Sequence, residues 1–323
     1  MDLKTITEPI KNELESFRTY FKKSMRSRVG LVDMVARYVV KQKGKRIRPI
    51  LVLLSASVSG GINERTFRAA TLVEILHTAT LIHDDVVDDA DSRRGLASVN
   101  AIWKNKVSVL MGDYLLARGL LLSLDHDDFQ FLKIISTAVK RMSEGEILQI
   151  EKSRQLDIDE KTYFKIIADK TASLLSTCCE LGAASASVDE NHRLRMREFG
   201  ESIGIAFQIR DDLLDYVGRR SITGKPTGLD MTEKKLTLPL IHSLRNAPRS
   251  EARTMVRFIK NGRPKKDLKL VVKFAERYGG IEYAMDRAGH YAKRAIDHLD
   301  GLPESPEKQA LLDFIEFVVT RTK

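Results

Sequence analysis

Two short acidic runs carry most of the chemistry this sequence can do: Asp84-Asp85-Val86-Val87-Asp88-Asp89 and Asp211-Asp212-Leu213-Leu214-Asp215. Each closes a long apolar pattern of helical period. Residues four apart in an α-helix lie on one face, about 6 Å apart along the axis. Asp84 and Asp88 therefore share a face, as do Asp211 and Asp215, with Asp85 and Asp212 beside them. Like-charged carboxylates this close repel, and a helix C-terminus disfavours anions further. Fold stability gains nothing from them, whereas a divalent cation would reverse the sign of the interaction. Hard oxygen ligands suit magnesium, which commonly shares its coordination between carboxylates and phosphates. One such run could equally be a solvated helix end; two copies favour a metal. Neither run has the glycine and distal glutamate of a helix-loop-helix calcium site.

Cations stand where bound diphosphates would need them. Arg93 and Arg94 follow the first run and precede Gly95, so two guanidinium forks sit on a turn beside the carboxylates. Gly44-Lys45-Arg46-Ile47-Arg48-Pro49 leads into a helix start, where free N–H groups attract phosphate and Lys45 and Arg48 add full charges. His77 lies two turns before Asp84 on the same stripe; taken alone it is more readily structural than a ligand. Lys170-Thr171 interrupts an apolar helix in which an unpaired ammonium would be costly. Gln208 precedes Asp211 by one turn. Beyond the second run, the glycine-bounded stretch Gly224–Asp230 carries Lys225, with Lys235 shortly after, and such a loop could close over a diphosphate.

The elements that must position these groups are helices. Apolar spacings of three and four recur almost throughout, and the pattern predicts helices at about 3–23, 30–42, 49–58, 63–89, 98–103, 107–124, 128–153, 160–186, 190–217, 232–246, 248–260, 265–277, 279–299 and 305–321. No linker or composition break divides the chain, so one all-α helical-bundle domain over residues 1–323, with a central cavity, is expected. No run of about eighteen apolar residues is evident, and the polar N-terminus resembles no leader, so no membrane span and a cytoplasmic location are expected. Cys178 and Cys179 are adjacent in an apolar stretch and read as small buried side chains of a reducing compartment. Lys and Arg total 54 against 44 Asp and Glu, a formal +10 that suits polyanionic partners. Only 7% of residues are aromatic, and the one dense basic stretch, 260–269, reads as an interhelical loop, which disfavours nucleic acid.

At this point the residues resemble the trans-prenyltransferase (polyprenyl synthetase) family. The blocks that carry the resemblance are GKRIRP, EILHTATLIHDDVVDDADSRRG, GEILQ, DKTASLL, FQIRDDLLD and GKPTGLDMTEKKLTLPL, in the family's order from residue 44 to 239. The resemblance implies a homodimeric isoprenoid-synthase fold with the acidic runs facing across a cavity mouth. It implies magnesium on Asp84, Asp85, Asp88, Asp211, Asp212 and Asp215. Arg93, Lys170, Thr171, Gln208 and Lys225 would hold the allylic diphosphate, with farnesyl diphosphate a typical starter. Lys45, Arg48, His77 and Arg94 would hold isopentenyl diphosphate, and Lys235 would join the diphosphate-binding set. The allylic C–O bond would ionise, isopentenyl diphosphate would attack the carbocation, and the released diphosphate would take the proton.

Thr80, one turn before Asp84, and Ala79 beside it are small where short-chain members of the family carry a bulky floor. With no insertion in the first run, a deep tunnel and a product of about C30–C50, octaprenyl-like, are expected; a helix of twenty-five residues is about 37 Å long and roughly seven or eight extended units match it. The alternatives are a shorter-chain geranylgeranyl or farnesyl synthase, a class I terpene cyclase, a non-catalytic synthase subunit and a nucleic-acid binder. Transient membrane contact for product release is compatible with this reading.

Overall fold

The computed structural model describes residues 2–41, 44, 46–93, 95–155, 158–217, 236–261 and 264–320. Helices account for nearly all of them, so the all-α expectation holds. Helix α1 (Leu3–Thr7) starts on an Asp2 cap, and Pro9 tightens the next turn, Glu8–Ile10, before α2 (Lys11–Ser24). Then come α3 (Gly30–Lys41), α4 (Ile47–Ser57) and α5 (Glu64–Val87), the last opened by a reciprocal Asn63–Thr66 cap. A two-residue hairpin, β1 (Ser92–Arg93) and β2 (Leu96–Ala97), separates α5 from α6 (Val99–Leu124). Next are α7 (Phe129–Gln155), α8 (Glu160–Ile167), α9 (Ser173–Ala186) and α10 (Glu190–Val217). Further helices span Leu238–Asn246, Arg249–Asn261, Pro264–Arg277, Gly280–Asp297 and Pro306–Thr320. The basic stretch 260–269 therefore lies partly within a helix rather than wholly in a loop.

Helix α9 is the axis of the core. Every residue from Ser173 to Ser185 is buried, and α4, α5, α7 and α10 all pack on it. Its small side chains, Ser, Thr, Cys, Gly and Ala among the leucines, let those four helices come close. Cys178 and Cys179 are free and buried there; burial pushes the Cys179 thiol up to about 12 and the Cys178 thiol well up, so neither is a nucleophile near neutral pH.

Two expectations need correction. The helices read as 98–103 and 107–124 are one element interrupted at Lys104, whose φ of 66° and ψ of 168° are not helical. That element, α6, is also long and apolar enough to cross a bilayer by length and composition, with mean hydropathy 1.5 over eighteen residues of which 33% are buried. Gly112, Asp113 and Arg118 break the run of apolar letters without lowering its mean below that of a span. Its outer side exposes Ile102, Val109, Leu110, Leu121 and Leu124.

Candidate active site

The first acidic run ends α5. Asp84 and Asp85 occupy its last turn, Asp88 is the C-terminal cap, and Asp89 turns the chain through a left-handed conformation, φ 47°. The hairpin then brings Arg93 back over the helix end, where its Nε donates to Asp85 Oδ1 at 2.6 Å. Asp85 is 3% exposed, so this pair is shielded from water. Asp84 faces outward, and its carboxyl is pushed above the ordinary range. Desolvation by the surrounding walls is the main cause, Arg93 opposes it, and Asp88 and Glu146 reinforce it.

The second run ends α10. Asp212 is 4% exposed and accepts two hydrogen bonds, from the Tyr163 hydroxyl at 2.7 Å and from Gln208 Nε2 at 2.8 Å. Gln208 Oε1 in turn accepts from Thr171 Oγ1 at 2.9 Å. A buried carboxylate, an amide, a phenol and a threonine thus lock α8, α10 and the start of α9 together. Asp211 and Asp215 stand half-buried on the same helix.

Between the runs the chain from α8 to α9 widens into a π-helical turn, Ala168–Ala172, which presents Lys170 and Thr171. Two glycines make room for it: a Cβ on Gly145 of α7 would meet Lys170 N at 2.9 Å, and one on Gly204 of α10 would meet Ala172 Cα at 2.4 Å. Asp169 anchors the turn through Lys165 Nζ and Arg141 Nε, each at 2.8 Å; those pairings hold its carboxyl below the usual range against the cost of burial. Arg141 also reaches Glu201 of α10 at 3.0 Å. Lys170 Nζ then lies 2.5 Å from Glu146 Oε2 and 3.3 Å from Gln149 Oε1.

These groups line three neighbouring cavities that share walls. The one of about 460 Å³ is lined by the polar groups of Arg48, His77, Asp84, Glu146, Lys170 and Thr171. Leu81, Met142, Leu174, Leu175 and Phe207 give it large apolar walls, with Thr80 on the α5 wall. Lys170 and Thr171 also line a space of about 100 Å³ that holds Gln208, Asp212, Tyr163 and Gln149. His77 and Leu81 also line one of about 40 Å³ that holds Arg46, Asp85 and Arg93. The larger cavity therefore shares side chains with a space walled by the second acidic run and with a space walled by the first.

The structure thus brings together Asp84, Asp85, Asp212, Arg48, His77, Arg93, Lys170, Thr171, Gln208 and Thr80. Asp88 is solvent-exposed at the cap of α5. Ala79 does not belong with them: it is 2% exposed in the core, because successive helix residues turn by about 100° and only the stripe His77, Thr80, Leu81, Asp84 faces the cavity. Met142 of α7 lines the cavity, whereas Phe131 of the same helix is fully buried in the core. Lys45, Arg94, Lys225 and Lys235 lie outside the described residues. Sequence reasoning missed Arg46, Glu146, Gln149 and Tyr163. Glu146 and Gln149 were one turn apart inside GEILQ, and Arg46 stood inside GKRIRP. Arg46 takes up a left-handed conformation, φ 48°, at the start of α4, a strained state of the kind concentrated at functional sites.

Among the described residues no three His, Cys, Asp or Glu side chains converge to cage a metal ion. Carboxylates are offered in ones and twos from each side instead. That arrangement suits a hard divalent cation that completes its shell with phosphate oxygens.

The polyprenyl synthetase family model matches residues 29–275. Over 317 residues, 98% of this chain and 97% of the relative, the sequence is 37% identical to the all-trans-nonaprenyl-diphosphate synthase (geranyl-diphosphate specific) of Rhodobacter capsulatus. It is 33% identical to the octaprenyl diphosphate synthase of Escherichia coli over the whole of both chains. Among solved structures, the polyprenyl synthase of Caulobacter crescentus, complexed with calcium and isoprenyl diphosphate, superposes with a TM-score of 0.90 at 32% identity, covering 100% of this chain and 98% of that one.

Proposed function

The chain belongs to the polyprenyl synthetase family, and from that premise we propose that it is an all-trans polyprenyl diphosphate synthase adding isopentenyl diphosphate units head to tail to an allylic diphosphate, with a product of about C30–C50. One observation carries the reading: a single cavity lined both by acidic and cationic groups, Asp84, Glu146, Arg48 and Lys170, and by large apolar side chains, Leu81, Met142, Leu174, Leu175 and Phe207. The charged groups fit a diphosphate; the apolar walls fit the growing hydrocarbon.

Magnesium would sit on Asp84, Asp85 and Asp88 from one side and on Asp211, Asp212 and Asp215 from the other. Like charges held close together on hard oxygen ligands are the chemistry such an ion relieves. When bound, it supplies Lewis-acid charge to the departing diphosphate. The side chains do the remaining work. Lys170 and Thr171, backed by Gln208, hold the allylic diphosphate from the α9 wall, and Arg93 holds it from the hairpin. Arg48 and His77 reach the isopentenyl diphosphate across the same space. Lys45, Arg94, Lys225 and Lys235 are assigned to the same diphosphates on the family pattern alone. Leu81, Leu174, Leu175 and Phe207 exclude the water that would trap an allylic carbocation as an alcohol.

The reading includes one polyprenyl synthetase unit over residues 1–323 and a homodimer, for which the exposed apolar side of α6 is the supporting observation. A cytoplasmic location is supported by two free, buried thiols. Incubation with farnesyl diphosphate, isopentenyl diphosphate and magnesium, followed by chromatography of the products, tests the function. Products no longer than C20 would reject the chain-length part, and no product at all would reject the whole. Light scattering that returned the mass of one chain would remove the dimer.

A further inference from the structure

Half of the chain's excess positive charge lies in one place that the catalytic reading does not use. Residues 22–41 hold six cations, Lys22, Lys23, Arg26, Arg28, Arg37 and Lys41, and one carboxylate, Asp33, a net +5 of the chain's +10. Asp33 is buried beneath this surface and pairs with Arg26 and Arg37. None of the six cations lines the three cavities of the site described above; Lys22 and Lys41 border a surface groove that shares Val40 and Arg46 with the smallest of them.

In the middle of this field the chain exposes three large apolar side chains. Val29, just before α3, is 60% exposed, and Leu31 and Met34 in its first turns are 44% and 54% exposed. The inner side of the same helix is satisfied, since Val35 and Ala36 are in the core and Val39 and Val40 line the small cavity beside Asp85. The outer side is therefore an apolar tip with cations near it along the chain, Arg26 and Arg28 just before it and Arg37 one turn after Met34. Nucleic acid would use the charge and have no use for Val29, Leu31 and Met34. A second copy of this face would bring the same +5 against it and be repelled. An anionic lipid surface uses both halves, because the apolar tip enters the acyl boundary while the guanidinium and ammonium groups meet the headgroups.

We propose that the Val29–Met34 turn and its neighbouring cations dock this chain on an anionic lipid surface. The purpose rests on the function proposed above: a long polyprenyl tail leaving the site is delivered to a bilayer rather than to water. The docking itself does not depend on turnover.

Cosedimentation of the full chain with vesicles, without substrate, tests it. The chain is expected to partition onto vesicles of phosphatidylcholine with phosphatidylglycerol, to stay free with phosphatidylcholine alone, and to be released as salt rises. Arg26→Glu with Arg28→Glu should weaken partition about a hundredfold, and Leu31→Ser with Met34→Ser about tenfold. Both variants should keep full turnover in detergent, which shows that they are folded. Equal partition onto both vesicle types, no partition, or variants that bind like the parent would overturn the proposal. So would a change in molecular mass with lipid binding intact, which would make this face a chain–chain contact. A chain that bound anionic vesicles yet made no polyprenyl diphosphate would overturn the function and leave the docking standing.

Discussion

The Lys170 ammonium lies 2.5 Å from Glu146 Oε2, on the wall shared by the site's cavities of about 100 and 460 Å³. An ammonium in an otherwise apolar helix needs such a partner, and Gln149 adds a second acceptor. The pair keeps Lys170 extended into the space where an allylic diphosphate would be held. A hydrogen bond to a charged group contributes about 1.5–3 kcal/mol, roughly ten- to a hundredfold in binding. Lys170→Ala should raise the KM for the allylic diphosphate by about that factor and leave the helical circular dichroism unchanged. Steady-state kinetics with each substrate varied in turn checks it; an effect confined to isopentenyl diphosphate would contradict the assignment.

Tyr163 holds Asp212 in place from α8, at 2.7 Å and away from solvent. Tyr163→Phe removes a hydrogen bond on a buried carboxylate, a loss of about 1–3 kcal/mol. The melting temperature should fall, and half-maximal velocity should need more magnesium than the parent enzyme does. A magnesium titration of initial rates separates this from a purely structural effect, in which the melting point alone would move.

Much of this site was legible beforehand because its parts are periodic. Asp84, His77 and Thr80 share a helical stripe, and Gln208 stands one turn from the second run. Helix boundaries followed the glycines and polar turns to within a residue or two over most of the described chain. What escaped depends on how helices meet. Glu146 and Gln149 sit on α7, and nothing in their own spacing says that Lys170 of a later helix will land on them. Tyr163 reads as an ordinary apolar position until α10 is packed against α8. The π-helical turn is likewise a product of packing between Gly145 and Gly204, not of local propensity. Ala79 failed for the opposite reason, since adjacency in sequence is not adjacency on a helix face.

Gly204 tests that packing directly. A methyl group there would meet Ala172 Cα at 2.4 Å, so either α10 or the π-helical turn must move. Alanine favours a helix over glycine by about 1 kcal/mol, and overpacking of this kind costs about 1–3 kcal/mol, so the clash outweighs the propensity. Gly204→Ala should lower the melting temperature and lower turnover further than its residual stability explains, because Thr171 loses its register with Gln208. Gly289→Ala, in open space on another helix, is the control and should do neither.

Asp84 should reveal a conflict between stability and function. Its carboxyl is raised, chiefly by desolvation, so the folded chain binds that proton more tightly than the unfolded chain does. Stability is then lost as pH rises from the ordinary carboxylate range through the raised value, and at neutral pH the ionised group is a net cost. Asp84→Asn should therefore raise the melting temperature of the metal-free protein at neutral pH, an advantage that fades in acid where both side chains are uncharged. The same variant should lose nearly all turnover. Thermal melts across pH with a chelator present check the sign; a lower melting point at neutral pH would show that the carboxylate is stabilising after all.

Thr80 decides how far the product can grow past the first acidic run. It lies on the cavity wall one helical turn below Asp84, with its hydroxyl turned back to donate to His77 O at 2.9 Å, so only a methyl-sized group borders the path. Replacing it with phenylalanine puts a ring across a space whose other walls, Met142, Leu174 and Phe207, are already large. Ionisation of a short allylic starter needs only the groups around Asp84 and should continue. Elongation needs the space past Thr80 and should stop early. Thr80→Phe should therefore shift the products toward shorter chains with the first condensation nearly unimpaired, as read by chromatography of radiolabelled alcohols after dephosphorylation. Ala79→Tyr, buried in the core, should lower the melting temperature instead, with overpacking costing about 1–3 kcal/mol. If the roles came out reversed, with Ala79→Tyr shortening the product and Thr80→Phe leaving it alone, the tunnel would run on the other side of α5.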